Sequence, residues 1–178
     1  MVADVEHCKE SAALGISWDK CCSVRDCPYA GNIDPPSWDV SLRTDLSWLF
    51  ADTSFDADIS QWNVGSVRNF GWMFAGARQF TADISEWDTS SAISMSNMFH
   101  DAVAFQADIS LWDVTNVRYM TSMFYGASSF NADISAWNIF GHVATEMMFY
   151  DASAFHQDIT VWGISPGVKA IRKFHGAT

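Results

Sequence analysis

The chain has 178 residues, of which 49% are hydrophobic and 15% aromatic, so it is long enough and apolar enough to form one folded domain. Asp and Glu outnumber Lys and Arg by 21 to 10, and the resulting formal charge of −11 excludes a surface suited to nucleic acid or anionic membranes. No window reaches the roughly 18 unbroken apolar residues of a membrane helix, so we expect neither a membrane-spanning chain nor a nucleic-acid partner.

The first predicted element is an N-terminal cap, residues 1–33, which contains every cysteine of the chain: Cys8, Cys21, Cys22 and Cys27. A clustered, even number of cysteines favours two disulfides, and of the three possible pairings the one that joins the neighbours Cys21 and Cys22 is disfavoured. Disulfides would indicate an oxidising compartment. A zinc site is the alternative, although adjacent cysteines lack the usual spacing between zinc ligands, and free thiols are a third interpretation.

Residues 34–164 form a tandem repeat with a period of 25 residues. An aspartate followed by isoleucine recurs at this step, with a tryptophan four residues after each aspartate. The aspartates are Asp58, Asp83, Asp108, Asp133 and Asp158, and the tryptophans are Trp62, Trp87, Trp112, Trp137 and Trp162. A degenerate first copy is offset by 24 because one residue is missing between Phe50 and Phe55. Periods of about 20 to 50 residues are typical of solenoids, whose coils bury their apolar faces against one another.

Each coil is predicted to contain a short strand followed by a short helix. The run from Ile109 to Val114 is rich in β-branched and aromatic residues, which predicts a strand. The apolar residues that follow are spaced by three and four, as on one face of a helix: Val117, Met120, Met123, Phe124 and Ala127. Glycine or aspartate stands where this helix would end, as at Gly76, Asp101, Gly126 and Asp151. The sequence therefore predicts an α/β solenoid of about five to six coils, with the phenylalanine, methionine and tryptophan columns in its core.

The last predicted element is a C-terminal capping helix, residues 165–178. Ser165 suits the N-cap, Pro166 suits the first helical position, and Val168, Ile171 and Phe174 would share one face. We expect this helix to cover the end of the core, as the cysteine-containing cap would cover its start.

The phrases FNADISAWN, residues 130–138, and SMFYGASSF, residues 122–130, resemble the repeats of BspA-like leucine-rich-repeat surface proteins of bacteria and protists. The resemblance covers residues 34–164 and implies a right-handed leucine-rich-repeat-like solenoid with strands on its inner face. It also implies display on a cell surface and a role in adhesion or protein–protein contact, with no catalytic motif. Thr89 and the segment 137–149 depart from the pattern, and we interpret them as a local kink or a contact site.

The aspartate column is the feature most suggestive of chemistry. Carboxylates stacked about 4.8 Å apart would repel by roughly 0.9 kcal/mol per pair in water, so they need compensation. We predict that each accepts backbone N–H bonds in the turn before its strand, together with the serine two residues later. Calcium bridging between coils is the alternative, whereas a hydrolytic dyad repeated in every coil would be hard to explain. We therefore predict no catalytic, cofactor-binding or metal-binding residue.

A second polar column directs attention to a partner site. If each tryptophan and the residue two later face inward, the residues directly before and after each tryptophan form an acidic inner surface. Its predicted members are Gln61, Asn63, Glu86, Asp88, Leu111, Asp113, Ala136 and Asn138. We predict a non-catalytic protein-interaction or adhesion module, extracellular or at the cell surface, that binds a protein partner here. The alternatives are a structural subunit of a larger assembly in an oxidising compartment such as an organelle lumen, and a solvated face with no partner.

Overall fold

A computed structural model of the chain describes residue 36 and residues 38–139 and 143–162. A three-residue 3-10 helix, Thr160–Trp162, lies within this part. Strand pairing in it consists of isolated parallel bridges, Asp45–Asn69, Asn69–Ser94, Ser94–Tyr119 and Tyr119–Ala144. No helix in the described ranges has the length and apolar character needed to cross a membrane. The predicted caps, residues 1–33 with Cys8, Cys21, Cys22 and Cys27 and residues 165–178, lie outside the described residues.

The predicted α/β solenoid of strand-plus-helix coils is wrong, because the described residues contain neither an α-helix nor a continuous strand. The segment predicted as a strand is folded into turns. Within it the N–H of Trp112 donates to the carbonyl of Ile109 at 3.2 Å, and at its end the carbonyl of Val114 accepts the N–H of Val117 at 3.0 Å. The parallel bridges form seven residues after each tryptophan, beyond the predicted strand.

The segment predicted as a helix is a run of consecutive turns, for example over residues 70–77. Alternate N–H groups donate to the next coil at 2.7–3.0 Å: Phe70 to Ser94, Trp72 to Ser96, Phe74 to Met98 and Gly76 to His100. The N–H groups between them donate three residues back at 3.0–3.1 Å: Met73 to Phe70, Ala75 to Trp72 and Ala77 to Phe74. An α-helix instead donates each N–H to the fourth preceding residue. Since half of these donors bind another coil, the segment cannot be helical.

Two positions in each run of turns have a left-handed backbone. The second position holds Asp52, Gly76, Asp101, Gly126 or Asp151, which are residue types that tolerate positive φ. The first position holds Trp48, Trp72, Asn97, Ser122 or Met147, and except at Asn97 this conformation costs roughly 1–2 kcal/mol. Positive φ at the third residue is the signature of a type II turn. The glycine and aspartate column therefore marks a special backbone position, but inside a turn rather than at a helix end.

The predicted core columns are confirmed. Phe124 is fully buried, and its ring centroid lies 5.7 Å from that of Phe99 and 5.6 Å from that of Phe149 in the adjacent coils. It also stacks on Phe130 at 3.9 Å. Full burial of one such side chain is worth roughly 1.5–3 kcal/mol. Because each ring is covered by the equivalent ring of the next coil, burial is completed by stacking, as the repeat predicted.

The tryptophan column also connects neighbouring coils by hydrogen bonds. Each indole Nε1 donates to the carbonyl of an isoleucine 28 residues earlier, at 3.0–3.1 Å: Trp87 to Ile59, Trp112 to Ile84, Trp137 to Ile109 and Trp162 to Ile134. The pairing fixes the register of one coil on the next, because a shift of one residue would separate the indole from its acceptor. Buried Trp38, in the degenerate first copy, finds no acceptor for its Nε1 within the described residues.

Candidate functional site

The repeated aspartates cap turns, as predicted. The Oδ1 atom of each accepts the backbone N–H of the residue two positions later at 2.9–3.0 Å: Asp58 from Ser60, Asp83 from Ser85, Asp108 from Ser110, Asp133 from Ser135 and Asp158 from Thr160. Backbone and side-chain hydrogen bonds from Ser110 hold the pKa of Asp108 below its ordinary value, although the charges of Asp133 and Asp83 oppose this. The carboxylates of the column are thus stabilised in their ionised form.

The second polar column makes the same type of turn, which the sequence analysis did not anticipate. Its side-chain oxygens accept backbone N–H groups at 2.9–3.2 Å: Asp39 from Ser41, Asn63 from Gly65, Asp88 from Ser90 and Asp113 from Thr115. The Ser90 hydroxyl also donates to Asp88 at 2.6 Å and is the main cause of the lowered pKa of that carboxyl. In the second column the Asp-x-Ser/Thr pattern occurs at Asp39, Asp88 and Asp113, and it could have indicated this role.

All eight residues of the predicted partner surface are exposed: Gln61, Asn63, Glu86, Asp88, Leu111, Asp113, Ala136 and Asn138. Their predicted placement on the inner face of a β-sheet is wrong, because the backbone around them forms turns and the parallel bridges form at other residues. Leu111 stands out among them, since 80% of its surface is accessible.

Two shallow depressions lie between the aspartates of neighbouring coils. One has a volume of about 320 Å³ and brings Glu86 and Leu111 together with Asp83 and Asp108. The next, of about 410 Å³, lies between Asp108 and Asp133. We call these five side chains, Asp83, Glu86, Asp108, Leu111 and Asp133, the acidic surface. The other predicted partner residues, Gln61, Asn63, Asp88, Asp113, Ala136 and Asn138, line neither depression.

The acidic surface offers hydrogen-bond acceptors and negative charge. Within the described ranges, no group of three or more His, Cys, Asp or Glu side chains is arranged to hold a metal ion. Asp83, Asp108 and Asp133 each use one carboxylate oxygen in their own turn, which orients the carboxyl group rigidly. The arrangement is therefore suited to attract cationic groups.

The positions that depart from the repeat pattern differ in what the structure shows of them. Thr89 is buried, and its hydroxyl donates to the carbonyl of Asp113 in the next coil at 3.0 Å. It therefore contributes a contact between coils where other copies have valine or isoleucine. Within the segment 137–149, residues 140–142 lie outside the described residues, while Val143 and Thr145 are buried.

These features define a tandem-repeat protein whose coils stack through parallel bridges, aromatic columns and capped turns. The chain belongs to the family described as "Mycoplasma protein of unknown function, DUF285", whose profile matches residues 25–114 and 87–178. No curated protein and no solved structure matches the chain. The family match agrees with the repeat found in the sequence, and its description carries no activity.

Proposed function

We propose that this protein is a non-catalytic binding module, extracellular or at a cell surface, that holds a basic protein partner on its acidic surface. The resemblance of its repeats to those of BspA-like leucine-rich-repeat surface proteins supports the surface location and the binding role. Membership of a repeat family supports a scaffold in which equivalent side chains recur along one face.

The observation that carries this proposal is the uncompensated charge of the acidic surface. Within the described residues, Asp83, Asp108 and Asp133 have lowered pKa values and no Lys or Arg side chain within ion-pair distance. They are therefore ionised at neutral pH and exert a repulsive field on one another. A partner with lysine or arginine side chains would relieve this repulsion, and exposed Leu111 would supply an apolar contact at the centre.

The same carboxylates are poorly suited to catalysis. A general acid at neutral pH needs a raised pKa, whereas hydrogen bonds from the turn lower the pKa of every aspartate in this column. The arrangement also repeats from coil to coil, which is expected for a structural turn. If the wild-type protein hydrolysed a substrate and Asp108→Asn alone abolished that activity, the non-catalytic role would be contradicted.

The binding role can be tested with two matched variants. Glu86→Gln combined with Leu111→Ser removes one charge and the exposed leucine but leaves every turn aspartate in place. Leu42→Ser is the control, because Leu42 is 79% exposed, nearly the same as Leu111, and lies outside the acidic surface. We expect a partner captured by cross-linking to bind wild type and the control equally, and to bind the double variant about tenfold more weakly.

Equal binding of the partner to all three proteins would contradict the assignment of the acidic surface. Circular dichroism of each variant establishes that the loss does not come from unfolding. Raising the salt concentration should also weaken the interaction, because exposed charges are screened over about 8–10 Å at physiological ionic strength.

The alternative is a structural subunit of a larger assembly in an oxidising compartment such as an organelle lumen. Its support is the cluster Cys8, Cys21, Cys22 and Cys27, whose even number favours disulfides. Native purification distinguishes the two roles, since a subunit would elute in a stable complex. Recovery of the chain as a lone monomer would count against the subunit.

A further inference from the structure

Two arginines share a depression on another part of the surface. Arg68 and Arg118 line a hollow of about 330 Å³ together with Ser90, Ser91, Ile93 and Asn116. Both arginines are exposed, and neither has a carboxylate within ion-pair distance among the residues that the structure describes. In a chain with a net charge of −11, acidic side chains are abundant, so two unpaired guanidinium groups facing one hollow are a notable departure.

The repeat explains why the two arginines lie together. Arg68, Ile93 and Arg118 occupy equivalent positions in three successive coils, each directly before a bridge residue. The N–H of Ile93 donates to the Arg68 carbonyl at 2.8 Å, and the N–H of Arg118 donates to the Ile93 carbonyl at 2.9 Å. Since paired parallel segments are about 4.8 Å apart, the two arginine backbones are about 10 Å apart. The middle position of the three holds the uncharged Ile93, so there is a gap between the two positive charges, and a third arginine at this position would fill it.

Two other polar residues of the hollow, Ser90 and Asn116, form hydrogen bonds within its wall. The Ser90 hydroxyl donates to Asp88 at 2.6 Å, and the Asn116 amide donates to the Ser90 carbonyl at 2.8 Å. Asp88 does not line the hollow, and one of its carboxylate oxygens accepts hydrogen bonds from Ser90. The two guanidinium groups remain as the charged donors, and each offers five N–H groups and stays protonated throughout the physiological range.

We propose that Arg68 and Arg118 form a binding site for a compact oxyanion, namely a sulfate, a phosphate or the carboxylate of a small molecule. Planar guanidinium groups match the oxygens of such anions and form charge-assisted hydrogen bonds with them. The net negative charge of the chain repels extended polyanions, but the local field between two arginines favours a single small anion. The hollow shares no lining residue with the acidic surface, so this site is independent of the proposed protein partner.

The test is a titration of the isotope-labelled full chain with sodium sulfate, at constant ionic strength, followed through the arginine Nε–H signals by NMR. We expect the Arg68 and Arg118 signals to shift with one common saturation curve while the signal of exposed Arg78 does not. Parallel titrations with phosphate and acetate establish which oxyanion binds most tightly.

Three variants sharpen the result. Arg68→Gln and Arg118→Gln should each weaken sulfate binding about threefold, the size expected of an exposed ion pair, whereas Arg78→Gln should change nothing. Ile93→Arg places a third guanidinium in the same column and should strengthen binding severalfold. The spectrum of each variant in the absence of anion shows that the fold is retained.

The proposal would be overturned by linear, equal shifts of all arginine signals, since these would report screening rather than a site. It would also be overturned if Arg68→Gln left the response of Arg118 unchanged. Much tighter binding of a heparin-derived oligosaccharide than of sulfate would show that the partner is an extended polyanion and that a compact anion is the wrong ligand class.

Discussion

The hydrogen bond between Trp112 and the preceding coil yields a quantitative prediction. Its indole Nε1 donates to the Ile84 carbonyl at 3.0 Å, and the side chain is only 3% exposed. Trp112→Phe keeps an aromatic ring in the column but removes the donor. The Ile84 carbonyl would retain its longer bond from the Trp87 N–H at 3.3 Å, so the substitution does not leave the acceptor without any partner.

The magnitude has two parts. Loss of one buried hydrogen bond whose acceptor keeps a second donor is worth about 1 kcal/mol. Replacing the indole by the smaller phenyl ring removes buried atoms and leaves a partial cavity, at about 1–2 kcal/mol. We therefore expect Trp112→Phe to lower the free energy of unfolding by about 2–3 kcal/mol.

Trp38→Phe is the matched control. Trp38 is 4% exposed and stacks on Trp62 at 6.3 Å, as Trp112 stacks on Trp87 at 6.4 Å. Its indole Nε1 has no acceptor among the described residues, so the substitution removes an unpaired donor as well as packing. We expect this variant to lose less than about 1 kcal/mol, because the two effects have opposite signs.

Urea unfolding followed by circular dichroism measures both values, because tryptophan fluorescence is itself altered by the substitutions. The free energies of unfolding can be compared only if their slope against urea concentration is the same in the variants and in wild type. Trp87→Phe and Trp137→Phe, in other coils, should match Trp112→Phe and exclude an effect of chain position. Equal losses for Trp112→Phe and Trp38→Phe would refute the role assigned to the hydrogen bond.

Three further predictions concern buried and turn positions. Thr145 has a fully buried hydroxyl with no partner among the described residues, so Thr145→Val should raise the free energy of unfolding in urea by about 1 kcal/mol; a loss would contradict this. Gly126 has a φ of 67°, and an added Cβ would meet the Asp101 carboxylate, so Gly126→Ala should cost at least about 1–2 kcal/mol, and an unchanged urea midpoint would disprove the strain. Because turn hydrogen bonds lower the pKa of Asp108 in the folded protein, its contribution to stability is present above its ordinary pKa of 3.8 and is lost as the pH falls through the folded value. Asp108→Asn keeps the acceptor oxygen and should flatten the decline of the urea midpoint below about pH 5, and a decline as steep as in wild type would contradict this.

The core and the aspartate turns could be predicted because their causes repeat or act locally. Phe124 and Trp112 recur at a fixed period, and stacking requires such columns to be buried. Asp108 and Ser110 are two residues apart, so their hydrogen bond depends on short-range geometry alone. Both conclusions needed no knowledge of which coil lies next to which.

The backbone of the coil could not be predicted in the same way. Apolar residues three and four apart fit one face of a helix, but they equally fit consecutive turns whose side chains enter one core. The difference lies in the N–H of Phe124, which donates to Met148 in the next coil at 2.9 Å. A partner 24 residues away leaves no signal in local spacing, so helix propensity and periodicity misled the prediction.

The two candidate sites were predictable to different degrees. Glu86 and Leu111 were assigned to a surface by alternation around tryptophan, and both are exposed beside the aspartate column. Arg68 and Arg118 were not singled out, because Ile93 interrupts their column. The sequence does contain a signal for this site, since the two arginines are two 25-residue periods apart in an acidic chain. Only the stacking of three coils, however, places them around one hollow.

The sequence alone determined the 25-residue period, the residues that fill the core and the turns that the aspartates cap, because each follows from repetition or from contacts within a few residues. The tertiary structure decided the path of the backbone, since alternate N–H groups and the tryptophan indoles find their acceptors in a neighbouring coil. Hydrogen bonds across 24 to 28 residues become possible only after the coils have stacked, and these bonds convert the expected strand and helix into turns.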